Sequence, residues 1–179
     1  MNSSKKLRLF ILIFIALVGG SYLLFWGKSE KSQPDCAPCV FCNPEVLCRQ
    51  VFYEDRDVLA LCTHKPVVPG HFLIIPKRHV ERYELLTENE VLQIHRTIVK
   101  VNAAAEKVFG TCTYLLLQKN GREVGQSVPH LHFHYIPRKS GDDSMIAFVL
   151  KMFISDMKKP RTAAEMQETI DAMRCAQRE

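Results

Sequence analysis

The segment that most constrains this chain spans residues 126–138, Gln-Ser-Val-Pro-His-Leu-His-Phe-His-Tyr-Ile-Pro-Arg. His130, His132 and His134 alternate there with Leu131, Phe133 and Tyr135. A period of two places the three imidazoles on one face of a β-strand and the apolar side chains on the other. Taken alone, such a ridge admits three readings. It is a solvated strand face, a metal patch, or a divided site in which one imidazole attacks phosphorus while the others orient it, donate hydrogen bonds or hold a metal. Gly125, Gln126 and Ser127 precede the strand, in a context where backbone donors can meet a phosphate oxygen. The wholly apolar opposite face asks for a central or nearly central place in a sheet.

Composition sets the outer limits. The chain has 179 residues, enough for one domain and an appendage, and a net charge of +5. Lys5, Lys6 and Arg8 supply three of those positive charges, and no comb of basic and aromatic residues is available to stack bases. Acidic small molecules are therefore better candidate partners than nucleic acid. Residues 9–26 carry no charge, between the basic flank 1–8 and the charged Lys28, Glu30 and Lys31. Roughly 20 apolar residues cross about 30 Å of hydrocarbon, so the run is expected to be a transmembrane anchor. The flank keeps the N-terminus cytoplasmic, which puts a domain over 39–179 on the non-cytoplasmic side behind a tether over 27–38. A signal peptide cleaved after Gly20, releasing a secreted domain, and a buried core helix are the alternatives; continuation through Leu23, Leu24 and Phe25 favours the anchor. The odd count of seven cysteines neither confirms nor excludes export.

Beyond the tether, residues 49–53 and 58–62 read as short strands, and Lys65-Pro-Val-Val-Pro-Gly-His71 as a turn delivering His71 to a strand over 72–75. Thr87-Glu-Asn-Glu90 is a capping box. Behind it Val91, Ile94, Ile98, Val101, Ala105 and Val108 recur at the spacing of one helix face, up to a stop at Gly110. Residues 114–118 form the next strand, and Asn120-Gly121 marks a tight turn before the histidine strand. Residues 145–157 are mostly apolar and read as a helix or an interrupted helix, and a second capping box, Thr162-Ala-Ala-Glu165, opens a terminal helix to about Arg174. Cys62 and Cys112 read as core packing, and His95 as a boundary residue of the long helix.

These features together resemble the histidine-triad (HIT) superfamily of nucleotide hydrolases and transferases. The resemblance rests on His130-Leu-His132-Phe-His134-Tyr-Ile-Pro-Arg138 behind Gly125-Gln126-Ser127-Val128, and on Pro69-Gly70-His71-Phe-Leu-Ile-Ile-Pro76-Lys77-Arg78-His79. It implies an α+β fold of about five antiparallel strands with a long helix, usually paired into a homodimer. The implied chemistry is nucleotidyl transfer to water from a purine nucleotide, either a nucleoside phosphoramidate or a dinucleoside polyphosphate. A nucleotide-binding module with little turnover is the alternative. Carried over by residue, His132 is the nucleophile, His134, His130 and His71 support it, and Asn120, Gln126 and Ser127 reach phosphate or leaving-group oxygens. Thr63 stands where the family places a ribose-binding acidic or amide residue, which implies weaker or altered ribose recognition. Cys39, Cys42, His79 and His130 match the ligands of a zinc-bearing bacterial branch, which makes a structural zinc the expected cofactor with no organic one. A disulfide or core packing is the competing reading of Cys39 and Cys42. Lys139-Ser-Gly-Asp-Asp instead resembles the dinucleoside polyphosphate hydrolase branch.

Overall fold

The computed structural model describes residues 39–178. A 3-10 turn, Val40–Cys42, leads through Asn43 into helix α1, Pro44–Gln50. Asn43 caps this helix by accepting from the Glu45 N–H, and Pro44 occupies a first-turn position where no N–H is needed. The sequence expectation of a strand beginning at residue 49 is corrected here. The strand begins at Val51, because the Asn-Pro cap winds the preceding residues into a helix.

Strands β1 (Val51–Glu54), β2 (Val58–Cys62), β3 (Phe72–Pro76), β4 (Tyr114–Gln118) and β5 (Phe133–Pro137) form one antiparallel sheet in the order β1-β2-β3-β5-β4. Strands β2 and β3 are buried at every position, as strands covered on both faces must be. One face carries Phe52, Ala60, Phe72, Ile74, Phe133 and Tyr135 against helix α2, Glu88–Phe109, and helix α4, Ala163–Ala176. Helix α2 buries Ile94, Ile98, Val101, Ala104 and Ala105, close to the stripe read from the sequence, although Val91 is exposed. Both capping boxes form, at Thr87 with Glu90 and at Thr162 with Glu165. The opposite face carries Leu59, Leu61, Leu73 and Ile75, covered by Phe41 and Leu47. This second face is the one that receives the histidines.

Helix α3, Met145–Ile154, runs into a short 3-10 turn, Ser155–Met157. It buries Phe148 and leaves Ile146, Leu150 and Phe153 exposed. Cys62 is buried as expected, but Cys112 is exposed because it lies just before the edge strand β4.

Two expectations about the molecule's surroundings are corrected. The anchor over 9–26, like the cleaved-signal alternative, falls outside the described residues. Among the described residues no helix is long and apolar enough to cross a membrane. The longest, α2, is amphipathic, with charges on its outer side from Glu88 to Lys107 that hydrocarbon would not accept. The α+β fold therefore stands for the described residues, none of whose helices supports the expected membrane span, and the single-pass membrane location and membrane partner are not carried further. The homodimer finds no support either among the described residues.

Candidate functional site

Backbone geometry delivers the histidines to one place. Leu73 pairs with His134 and Phe72 with Tyr135, so residues of β3 and β5 that face each other share a side of the sheet. His71 precedes β3 on that side. Gly70 makes its approach possible, with φ +82 and room for no side chain, since a Cβ there would lie 2.8 Å from Pro137 Cγ and 3.0 Å from Phe109 Cε2. His130 is 0%, His132 4% and His71 6% exposed, so all three must be satisfied by protein partners.

Those partners fix the tautomers. The Val67 N–H donates to His71 Nδ1 at 3.1 Å, which leaves His71 Nε2 as the protonated nitrogen. His71 Nε2–H donates in turn to His134 Nδ1 at 2.9 Å, so His134 carries its proton on Nε2. His132 Nδ1–H donates to the His130 carbonyl at 2.7 Å, leaving the Nε2 lone pair of His132 unprotonated. The site thus holds a nucleophilic nitrogen beside an N–H donor, with the two rings 5.0 Å apart centre to centre. Burial keeps these rings neutral. It lowers His71 to about 4 and His134 to about 3, with the neighbouring imidazoles adding to the effect. His132 is also lowered, mainly by burial and further by the charge of Lys119, against a raising contribution from the His130 carbonyl.

His130 faces the other way. Its Nε2–H donates to the Pro76 carbonyl at 2.9 Å, which turns an unprotonated Nδ1 toward two thiols. Nδ1 lies 3.4 Å from Cys39 Sγ and 3.6 Å from Cys42 Sγ, and Cys42 Sγ lies 3.4 Å from His79 Nδ1. One ligand atom from each of the four residues falls within 4.8 Å of every other. Tetrahedral zinc with ordinary bond lengths separates a sulfur from a nitrogen by about 3.6 Å, so the donor set fits that metal. The four residues expected from the sequence make up this plausible structural zinc site. Phe41, on the same 3-10 turn, sets its ring against both His130 and His132 at centroid distances of 5.8 and 5.5 Å.

The expected substrate-binding residues divide. Thr63 lies one residue beyond the Cys62–Phe72 pair, in register with His71, and its hydroxyl accepts from the Lys65 N–H at 3.4 Å. Ser127 is exposed beside the strand entry. Gln126 is buried and committed at both ends, accepting from the Gly121 N–H at 2.7 Å and donating to the Glu81 carbonyl at 2.9 Å, so it staples the loop. Asn120 is also occupied elsewhere, by the Tyr83 N–H and by Glu84, both at 2.8 Å. The residue that sequence reasoning misses is Lys119, whose charge reaches both His132 and His134. Leu117 pairs with His134 and Gln118 with Phe133, and counting two residues on from Leu117 is the signal that finds it.

Comparison with known proteins agrees with this arrangement. Residues 45–141 match the HIT domain family. The chain is 37% identical over 113 residues to an uncharacterised HIT-like protein of Methanocaldococcus jannaschii, covering 62% of this chain and 86% of that one. It is 41% identical over 95 residues to the asymmetrical bis(5'-nucleosyl)-tetraphosphatase of Schizosaccharomyces pombe, covering 53% of this chain and about half, 52%, of that protein. Among solved structures, a hypothetical histidine triad nucleotide-binding protein of Sulfolobus tokodaii superposes with a TM-score of 0.62 at 27% identity, over 78% of this chain and 92% of the other.

Proposed function

The chain belongs to the HIT domain family, and from that premise we propose that it is a nucleotidyl hydrolase acting on dinucleoside polyphosphates or nucleoside phosphoramidates. The observation that carries the reading is the unprotonated Nε2 of His132, held by the bond from its own Nδ1–H to the His130 carbonyl. In the first step that nitrogen attacks the α-phosphorus, an N–P bond forms, and the bond from phosphorus to the leaving group breaks, its electron pair departing on the polyphosphate oxygen or on the amine nitrogen, which takes up a proton from solvent. The His134 Nε2–H donates to the phosphoryl oxygen on which charge gathers, and His71 fixes that donor from behind. In the second step water attacks the same phosphorus and the N–P bond breaks. The nucleoside monophosphate leaves, and the proton of water passes to solvent. A neutral buried imidazole suits this work because it needs no deprotonation near pH 7.

Ser127 contributes a hydroxyl to the phosphate, and Thr63 a single hydroxyl to the nucleoside side of the pocket. Gln126 acts by holding the loop and Asn120 by tying that loop to residues 83 and 84. Cys39, Cys42, His79 and His130 would hold zinc, which when bound supplies a cross-link between the 3-10 turn at Val40–Cys42, the segment after β3 and the segment leading into β5. The zinc-bearing branch is supported by that donor set, and the dinucleoside polyphosphate branch by the activity of the yeast relative.

The test is turnover by the full chain, with diadenosine polyphosphate and adenosine phosphoramidate offered separately. Adenylate release from either, lost in His132→Ala and accompanied by acid-labile label on the protein in a rapid quench, is the expected result. Binding of both without release would leave a nucleotide-binding module instead.

A further inference from the structure

Lys119 sits where the β4–β5 register runs out. Leu117 faces His134 and Gln118 faces Phe133, so the next position along β4 stands opposite His132 on the histidine side of the sheet. The side chain is half-buried, and its Nζ donates to the Gly125 carbonyl at 3.3 Å, on the loop that carries Gln126 and Ser127. Gly125 turns that carbonyl at φ +82, a conformation glycine adopts without strain. One neutral carbonyl uses one of the three ammonium protons. Among the described residues no carboxylate forms an ion pair with Lys119, whereas Arg78, Arg82, Lys77 and Lys151 each have one. The imidazoles around it are neutral, so the positive charge that Lys119 brings to His132 and His134 has no counterion in the site.

Resting on the hydrolase reading above, we propose that Lys119 is the residue that selects substrates by phosphate charge, favouring polyphosphate chains over singly charged phosphoramidates. The Coulomb attraction of one cation grows with the number of charges placed near it, and it is stronger in a half-buried site than in open water. A dinucleoside polyphosphate presents several negative charges and a phosphoramidate one. The same lysine therefore gains more from the first. The preference enters mainly through binding, because those charges are present before the reaction as well as during it.

The experiment compares the full chain with Lys119→Met, which keeps the length and removes the charge, and with Lys119→Arg, which keeps the charge. The expected result is a fall of about tenfold or more in the ratio of kcat/KM for diadenosine tetraphosphate to that for adenosine phosphoramidate in Lys119→Met. That fall should be carried mostly by KM, accompanied by a weaker salt dependence, and largely restored in Lys119→Arg. An unchanged ratio, or one that Arg fails to restore, overturns the proposal. A parallel binding titration in the His132→Ala background, with diadenosine tetraphosphate against AMP, separates the two readings. Charge selection lost with Lys119→Met there upholds the role of Lys119 even if the parent chain hydrolyses neither substrate. Selection unaffected there rejects that role whether or not hydrolysis occurs.

Discussion

The two ends of the histidine ridge differ although their residues are of one kind. At one end His130 donates from Nε2 to Pro76 and offers Nδ1 to Cys39 and Cys42. At the other His134 receives at Nδ1 from His71 and offers an Nε2–H to the site. Burial makes both neutral, so charge does not distinguish them. The group behind each ring does, the Pro76 carbonyl behind His130 and, behind His134, the His71 N–H that the Val67 N–H sets in turn, and it decides which imidazole offers a lone pair to the thiols and which an N–H to the site.

Substitutions that act on one end alone should separate the two functions. The largest effect is expected from His71→Asn, which frees the tautomer of His134. Steady-state kinetics should show kcat lower by about a hundredfold or more, the range for losing a positioned proton donor, while metal content measured by atomic emission stays at the parent value. If both fall together, the ends are not separable. Cys42→Ser should do the reverse, weakening zinc retention against a chelator by at least about tenfold while kcat falls less than in His71→Asn. Next comes Gly70→Ala, which forces a side chain onto Pro137 and Phe109 at positive φ. A loss of about 1–3 kcal/mol in denaturant unfolding is expected, with activity falling in parallel because His71 moves.

The smallest effect is a slope. His71 is lowered by burial from 6.5 to about 4, so in the unfolded chain it takes up a proton at a higher pH than in the folded one. Its contribution to stability is fully present above about pH 6.5 and is lost as pH falls toward about 4. The denaturation midpoint of the parent should drop more steeply across that interval than that of His71→Asn. Equal slopes would mean that His71 does not titrate as its burial requires.

How far such contrasts could be read in advance depended on the period of each element. The two capping boxes are local patterns and both helices follow, whereas of the alternation at His130 to Tyr135 only the part from Phe133 onward becomes strand, and His130 and His132 lie in the segment that leads into it. The cluster of Cys39, Cys42, His79 and His130 was legible only through family resemblance, because its members are distant in sequence and no local period joins them. Asn120 illustrates the limit. The turn motif names Asn120 and passes over its neighbour Lys119, but one residue of register decides which faces the histidines, and that register is set by pairing with β5. Helix α1 was obscured differently. Its cap, Asn43 with Pro44, is plain in the sequence, but seven residues are too few to show a face.

The separation of Cys39 from His130, 91 residues along the chain, also bears on the order in which the molecule is made. A metal gathered by these ligands closes a long loop, and the entropy of that closure is met only after β3 and β5 have brought Pro76 and His130 together. The opening turn of the domain is then among the last pieces to be secured during folding. Metal uptake would mark the completion of assembly, and a chain interrupted before β5 would hold two thiols with no imidazole from the ridge to join them.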